Sequence, residues 1–263
     1  MKKFLVIGNP IDHSLSPKLH NYWINNNSID AIYEKQKLNE DELEQIILQI
    51  RNKKISGVNV TVPFKKTVIP YLDELSHESQ KTQSVNTIYL KDNKVVGHNT
   101  DIVGFETSIK KSEYDPNNKE VLILGAGGVV PSIIFALIKM KVSKIIISNR
   151  TREKAEILKN LFKEIEIIEW GKVPNFDMII NATSVGLKKE DRINIDFPTS
   201  AKNKFFYDVI YNPKETNFLK TGKELGNLTL NGKLMFIYQA LSAFKIWHGI
   251  EPDINEDVIK LLD

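Results

Sequence analysis

Cysteine is missing from this chain of 263 residues, and so are long apolar runs near its start. Without cysteine the protein can form no disulfide, no thiolate metal site and no cysteine nucleophile. The apolar run at residues 4–7 is too short for the core of a signal peptide or for a membrane span. These absences predict a cytoplasmic protein, and no metal centre is expected.

An excess of charge is also missing, because 36 lysine and arginine residues are balanced by 33 aspartate and glutamate residues. The resulting net charge of +3 gives no reason to expect a nucleic-acid partner. The length and the hydrophobic content of 41% are those of a globular protein with one large or two modest domains. Arginine is scarce, which draws attention to the neighbouring pair Arg150 and Arg152.

The first hundred residues predict a small α/β unit. Short apolar segments at residues 4–7 and 32–37 are typical of strands, and a hairpin is expected around residues 85–97. Ser16 followed by Pro17 predicts an N-cap and the first turn of a helix. Strands and helices should therefore alternate here.

Polar residues interrupt another predicted strand at residues 57–62. With a side-chain period of two, its three valines, Val62 included, share one face and leave Asn59 and Thr61 on the other. A proline then ends the strand, and Lys65 follows it, at a position where functional groups are often mounted. An amide, a hydroxyl and an ammonium group thus suit a small oxygen-rich ligand. An edge strand with a solvated face is the alternative.

The second half of the chain changes to strand, helix, strand, helix, strand, which predicts a parallel sheet with right-handed crossovers. Its first strand is followed by Gly125, Ala126, Gly127 and Gly128 and then by an apolar helix. Such a turn lets the backbone approach a pyrophosphate at a helix N-terminus. The third position of this dinucleotide fingerprint is Val130 instead of glycine or alanine, and a plain glycine turn is the alternative.

The next strand lacks the terminal carboxylate that NAD-binding domains use for the ribose 2′-hydroxyl. It runs instead into Asn149, Arg150 and Thr151. Arg150 can stack on adenine and bind a 2′-phosphate, and its neighbours add neutral donors. A charge-assisted hydrogen bond of about 1.5–3 kcal/mol corresponds to roughly a 10- to 150-fold preference, so the sequence predicts NADP as the cofactor. A basic helix start without a ligand is the alternative.

A series of segments along essentially the whole chain resembles the shikimate dehydrogenase family. They are Gly8-Asn9-Pro10, Ser14-Leu15-Ser16-Pro17, residues 59–65, Val85-Asn86-Thr87, Asn99-Thr100-Asp101, residues 125–128, Asn149-Arg150-Thr151, Asn181-Ala182-Thr183-Ser184, residues 208–213, Asn231-Gly232, Met235, Gln239, Ala243-Phe244 and Trp247. So many family motifs in the right order are far more specific for this family than any single motif.

The resemblance implies an α/β protein with two domains. Residues 1–103 and 236–263 would form a substrate-binding and catalytic domain, to which a C-terminal helix returns. Residues 104–235 would form a Rossmann-like NADP-binding domain. The family carries out the reversible NADPH-dependent reduction of 3-dehydroshikimate to shikimate, in the chorismate route to aromatic amino acids.

The resemblance also implies the site residues, with Lys65 and Asp101 as the catalytic pair. Substrate would be bound by Ser14, Ser16, Asn59, Thr61, Asn86, Tyr211 and Gln239. NADP would be bound by Gly125, Ala126, Gly127, Gly128, Asn149, Arg150, Thr151, Thr183, Val209, Gly232 and Met235.

The chemistry of these groups agrees with a ketone reduction. Hydride transfer to a ketone carbon creates an alkoxide, which the Lys65 ammonium group can protonate or stabilise. Asp101 can orient that ammonium group or simply cap a helix. The sequence leaves open which role Lys65 plays, and His13 and His98 have no placed partner and are expected to be structural.

Some positions depart from the family pattern. A glycine–alanine pair often stands where this chain has Gln83 and Ser84, and a glycine where it has Ile102. These changes lie near the substrate residues, so a broader quinate/shikimate dehydrogenase is one alternative. A non-catalytic NADP-binding sensor is another, and the resemblance leaves a homodimer open.

Overall fold

A computed structural model describes residues 1–198 and 201–262. The chain divides into two compact units, Met1–Gly104 with Ile237–Asp263 and Phe105–Phe236. We call them the first and second unit. The boundaries expected from the sequence lie one residue earlier at each division.

Both units are built from alternating strands and helices, as the α/β prediction required. The described strands are β1 (Lys2–Gly8), β2 (Ala31–Lys37), β3 (Gly57–Val60), β4 (Glu74–Leu75), β5 (Thr87–Lys91), β6 (Lys94–His98), β7 (Glu120–Leu124), β8 (Lys144–Ser148), β9 (Glu166–Ile168), β10 (Met178–Asn181), β11 (Phe205–Asp208) and β12 (Leu228–Leu230). The described α-helices are α1 (Ser16–Asn26), α2 (Leu43–Arg51), α3 (Phe64–Thr67), α4 (His77–Thr82), α5 (Asp101–Lys111), α6 (Val130–Lys139), α7 (Arg152–Leu161), α8 (Asn217–Glu224), α9 (Lys233–His248) and α10 (Glu256–Leu261).

The first unit contains a mixed sheet with the strand order β2-β1-β3-β5-β6-β4. β1 runs parallel to β2 and β3, whereas β5 runs antiparallel to β3 and β6. The β5–β6 hairpin turns at Asp92 and Asn93, which both have positive φ, as a two-residue hairpin loop requires. From the C-terminal part of α9, Trp247 donates its indole N–H to the carbonyl of Ile88 on β5. The predicted return of a C-terminal helix to the first unit is confirmed.

The end of β3 differs from the sequence prediction. The strand stops at Val60, and the valine face stops with it: Val58 and Val60 are buried, whereas Val62 is 55% exposed. The cause is a turn, in which the N–H of Phe64 donates to the carbonyl of Thr61. The prediction that the strand continues to Val62, with its three valines on one face, was therefore wrong.

The start of α1 also differs from the prediction. Leu15 occupies the N-cap position, and Ser16 is already the first helical residue, with the proline following it. The prediction of Ser16 as the N-cap was wrong, because the preceding turn brings the Ser14 hydroxyl to the backbone N–H of Ser16. The Ser16 hydroxyl is thus not used for capping.

The second unit has an all-parallel sheet with the order β12-β11-β10-β7-β8-β9. Counted from β7 as strand 1, this is the order 3-2-1-4-5-6 of a Rossmann fold. In its central strands, residues 121–124, 145–148 and 178–181 are buried, and most of them are valine, isoleucine or leucine, as expected for strands covered on both faces. The order reverses between β7 and β10, where folds of this type bind nucleotides. Among the described residues no helix is long and apolar enough to cross a membrane.

Candidate active site and nucleotide site

The polar residues of the first unit gather where parallel strands end. β1 leads into the turn that carries Ser14 and then into α1, which begins at Ser16, and β3 leads to Thr61 and then to α3 with Lys65. Because β1 and β3 are parallel neighbours, their carboxyl ends meet at one edge of the sheet. The fold therefore collects residues that are far apart in sequence.

Lys65 and Asp101 form an ion pair at this edge. The Lys65 Nζ lies 2.5 Å from Asp101 Oδ2, and the two side chains are only 11% and 7% exposed. Asp101 is the first residue of α5, and its own N–H donates to the side chain of Asn99. An ammonium group has three donors and the pair uses one, so Lys65 keeps two for another acceptor.

Asn86 is the centre of the hydrogen-bond network around this pair. Its Nδ2 donates to Asp101 Oδ1 and to Thr100 Oγ1, both at 2.9 Å, and lies 3.4 Å from Gln239 Oε1. Its Oδ1 accepts from the backbone N–H of Thr100 at 2.7 Å. Both oxygens of Asp101 are thus occupied, which fixes the carboxylate toward Lys65.

Asn59 joins the network from β3. Its Nδ2 donates to the carbonyl of Asn86 at 3.0 Å and to Thr87 Oγ1 at 3.1 Å. Its Oδ1 accepts a bond of 2.6 Å from the hydroxyl of Tyr33. With both amide hydrogens used inside the protein, Asn59 offers a ligand an acceptor.

The structure brings most of the predicted substrate residues into one connected group. The Ser14 hydroxyl accepts from the N–H of Ser16, the Ser16 side chain lies near the Tyr33 hydroxyl, and Tyr33 donates to Asn59. Gln239, on α9, reaches Asn86 from the far end of the chain. Thr61 lies two residues beyond Asn59, and Tyr211 belongs to the second unit, where its ring stacks on Phe236 at 4.5 Å.

Two departures from the family pattern have clear structural settings. Gln83 ends α4 with φ of 48°, a left-handed conformation that favours glycine, and its side chain donates to the carbonyl of Gln80. The Ser84 carbonyl accepts from Asn99, so the loop is held although glycine is missing. Ile102 is fully buried and serves the core.

The nucleotide residues of the second unit surround the switch point of the sheet. Gly125 follows β7 with φ of 111°, and a Cβ there would lie 2.8 Å from the carbonyl oxygen of Ala182 and 3.1 Å from Thr183. Gly127 is exposed, and a Cβ there would meet nothing closer than 3.8 Å. One glycine is thus needed for packing, and the other leaves open space before α6, as a phosphate cradle requires. Ala126 and Gly128 complete the turn, and Val130 is buried at the start of α6.

The basic residues after β8 are not equivalent. Arg152 forms an ion pair with Glu156 through its Nε and Nη2, both at 3.1 Å. Arg150 is exposed, and so is Thr151, whose carbonyl accepts from Asn149 Nδ2 at 2.6 Å. Arg150 is therefore the arginine that is available for an anion. Lys154, also exposed, adds a cation that the sequence prediction missed.

The remaining predicted cofactor residues lie at the ends of β10, β11 and β12. Gly232 packs so closely on Val209 that a Cβ would lie 2.1 Å from the Val209 carbonyl oxygen. Met235 is buried on the first turn of α9. Thr183 follows β10 and donates to Asn181 Oδ1 at 2.7 Å. The carboxyl edge of the parallel sheet thus carries all of these groups.

The sequence prediction missed three residues of the first unit's network, which are Tyr33, Thr87 and Thr100. Each is at most 1% exposed, and each was hidden inside a segment that reads as strand or turn. The only signal available was that Thr87 and Thr100 stand beside predicted site residues. Tyr33 has no such signal, because an aromatic residue in a strand is typical of any core.

Comparison with known proteins agrees with this geometry. Residues 6–88 match the family model described as the shikimate dehydrogenase substrate binding domain, and residues 107–215 match the model for shikimate / quinate 5-dehydrogenase. The chain is 62% identical to a shikimate dehydrogenase (NADP(+)) of Pelagibacter ubique, over 100% of this chain and 99% of the relative.

Solved structures match over the whole chain as well. The crystal structure of shikimate dehydrogenase from Aquifex aeolicus has a TM-score of 0.88 at 36% identity and covers 100% of this chain and 97% of its own. The enzyme from Thermus thermophilus, in complex with NADP(H) and shikimate, has a TM-score of 0.89 at 29% identity, with coverage of 100% and 98%. The described fold, the connected polar network and these matches together place the chain in the shikimate dehydrogenase family, to which it belongs.

Proposed function

We propose that this protein catalyses the reversible NADPH-dependent reduction of 3-dehydroshikimate to shikimate, a step in chorismate and aromatic amino-acid biosynthesis. The observation that carries the proposal is the nearly buried Lys65–Asp101 ion pair inside a network of amides and hydroxyls. A binding module would not need a catalytic pair beside a set of groups suited to a polyhydroxyl ligand. The NADP-binding sensor is therefore the weaker alternative.

Lys65 serves as the proton donor of the reduction. When bound, NADPH supplies the hydride that adds to the ketone carbon, and the ketone oxygen becomes an alkoxide. A Lys65 N–H not used by Asp101 donates to that oxygen and transfers its proton, and the reverse reaction returns the proton to Lys65. Asp101 holds the ammonium group in place through Oδ2, while Asn86 occupies its Oδ1. The substrate is thus protonated by a group that is oriented before it binds.

The substrate is bound by side chains of complementary type. Ser14 and Ser16 offer hydroxyl donors, Asn59 offers an acceptor, and Thr61 and Gln239 add one hydroxyl and one amide. We assign Asn86 mainly to orientation, because its amide hydrogens already bond within the protein. Tyr211 is assigned to the substrate on the family resemblance alone.

The second unit fits NADP. The glycine turn after β7 leaves open space at Gly127 for the pyrophosphate before the N-terminus of α6. Arg150 is exposed and takes no part in the Arg152–Glu156 pair. Its position directly after β8 suits it to bind the 2′-phosphate. Val209, Gly232 and Met235 would contact the remainder of the nucleotide.

We further propose that the protein acts in the cytoplasm without a nucleic-acid partner. The support is the net charge of +3, which supplies no basic excess for such a partner. A homodimer stays a prediction, and sedimentation of the purified protein would test it.

The test is NADPH oxidation by the purified protein with 3-dehydroshikimate, beside NADH, and in reverse with shikimate beside quinate. The proposal predicts turnover with NADPH and shikimate and little with quinate. Turnover mainly with quinate and NAD would support the broader dehydrogenase. Binding of NADP without any turnover would support the sensor.

A further inference from the structure

Tyr33 stands between two predicted substrate residues without having been one of them. It lies in β2 and is 1% exposed. Its hydroxyl is 2.6 Å from Asn59 Oδ1, and the side chain of Ser16 lies near it. A single phenol thus lies between the start of α1 and Asn59 on β3, and it is hydrogen-bonded to Asn59.

The direction of this bond follows from the neighbours of Asn59. The Asn59 Nδ2 faces the Asn86 carbonyl, which can only accept, so Oδ1 must be the atom facing Tyr33. Tyr33 therefore donates its one proton to Asn59. Its oxygen can then only accept. The Tyr33–Asn59 bond therefore stays in place when the nearby Ser16 hydroxyl donates to a ligand.

Helix α1 holds Tyr33 at both its backbone and its ring. Asn21 binds the Tyr33 backbone twice, donating to its carbonyl at 2.8 Å and accepting from its N–H at 2.9 Å. His20 stacks on the ring at 4.2 Å with an angle of 5° between the planes. Burial lowers the pKa of His20 to about 3 and raises the pKa of Tyr33 well above its usual value. The platform is thus neutral, and the phenol keeps its proton.

We propose that Tyr33 is a positioning residue for substrate binding, which holds the Asn59 side chain, and with it the acceptor that Asn59 offers a ligand, in the geometry that shikimate requires. The inference rests on the proposed function and extends it to a buried residue that acts through Asn59. Tyr33 contacts neither Lys65 nor Asp101 through its hydroxyl, so its effect falls on substrate binding and leaves the proton-transfer step intact.

The test is Tyr33→Phe, which removes one oxygen and keeps the stacked ring. We expect the KM for shikimate to rise about 5- to 20-fold, the effect of one lost buried hydrogen bond with an unpaired acceptor. The kcat should stay within about twofold and the Kd for NADP+ should not change. The matched control is Tyr114→Phe, because the Tyr114 hydroxyl is buried without a partner and its ring also stacks, on Phe205. It should leave all three constants unchanged.

A double-mutant cycle with Asn59→Ala separates positioning from a general structural role. If Tyr33 acts through Asn59, adding Tyr33→Phe to Asn59→Ala should raise KM less than it does in the wild type. If the KM changes of the two single variants multiply fully in the double variant, the proposal is contradicted. It is also contradicted if Tyr33→Phe has a KM within twofold of wild type or lowers only kcat.

A second variant covers the case in which Tyr33→Phe does not fold, as judged by circular dichroism. Asn21 is half-buried, and Asn21→Ala removes its two bonds to the Tyr33 backbone. This variant should also raise KM, but by less than Tyr33→Phe. If wild-type protein turns over no shikimate, the proposed function fails and this inference fails with it. If wild type is active and neither variant changes KM, only the role of Tyr33 is overturned.

Discussion

The two units place their functional groups in opposite ways. In the first unit the groups are buried side chains that hold one another, as in the chain from Lys65 through Asp101 and Asn86 to Asn59. In the second unit they are a backbone turn and an exposed arginine, Arg150. A buried network makes each member depend on its neighbours, whereas a backbone turn and a surface cation act one by one. The effect of a substitution should therefore extend to neighbouring residues in the first unit and stay local in the second.

The largest effect is expected at Lys65. Lys65→Ala removes the proposed proton donor and leaves Asp101 buried without its cation, so kcat should fall by about 10²–10⁴. The measurement is steady-state NADPH oxidation with 3-dehydroshikimate. Lys66→Ala is the control, since Lys66 is the exposed neighbour and should retain wild-type kcat. A kcat near wild type in Lys65→Ala would remove this lysine from the mechanism.

A smaller effect, on cofactor choice alone, is expected in the second unit. Arg150→Ala should lower the preference for NADP over NAD by roughly 10- to 150-fold, the value of one charge-assisted bond to the 2′-phosphate. Ratios of kcat/KM for the two cofactors measure it. Arg152→Ala should change the ratio little, because Arg152 is paired with Glu156. Equal losses in both variants would show that the charge acts at long range and is not specific to Arg150.

The glycine turn should separate stability from binding. Gly125→Ala adds a Cβ at φ of 111° and 2.8 Å from a backbone oxygen, which should lower the free energy of unfolding by about 1–3 kcal/mol. Gly127→Ala finds open space and should weaken NADP+ binding without affecting stability. Urea titration and NADP+ titration of both variants check this. Equal destabilisation would mean that the turn has only a packing role.

The smallest effects concern the pH dependence of stability, with opposite sign in the two units. His20 has a folded pKa of about 3 because of burial and the nearby His248, against 6.5 when unfolded, so it destabilises the fold increasingly as pH falls from 6.5. Burial raises the pKa of Asp208 from 3.8 to about 6. Its contribution to the stability of the fold is therefore present below pH 3.8 and is lost as pH rises through 6.

Two variants test these slopes between pH 5 and about 7. His20→Phe keeps an aromatic platform and should reduce the loss of Tm on acidification. Asp208→Asn should reduce the opposite change, which is the loss of Tm as pH rises. The bonds of this side chain with Asn181 and Thr216 must rearrange in the variant. Thermal melts at several pH values measure both. Slopes identical to wild type in both variants would contradict the stated pKa shifts.

The same contrast explains what the sequence could predict. The glycine turn and Arg150 could be predicted from the residues themselves because a βαβ unit places its nucleotide groups by local order along the chain. Lys65 and Asp101 are 36 residues apart, and only the family resemblance joined them. Ser16 was wrongly predicted as an N-cap and Val62 as part of a strand, because short turns beside them, which the pattern did not show, end or begin the elements. Tyr33 was missed because its bond to Asn59 joins residues that are distant in sequence.

The division of labour between the units is tested most directly by one calorimetric grid. Shikimate and NADP+ are titrated separately into wild type, Asn59→Ala and Arg150→Ala. The account predicts that Asn59→Ala weakens shikimate binding with an unchanged Kd for NADP+, and that Arg150→Ala weakens NADP+ binding with an unchanged Kd for shikimate. Loss of NADP+ affinity in Asn59→Ala, or of shikimate affinity in Arg150→Ala, would contradict it.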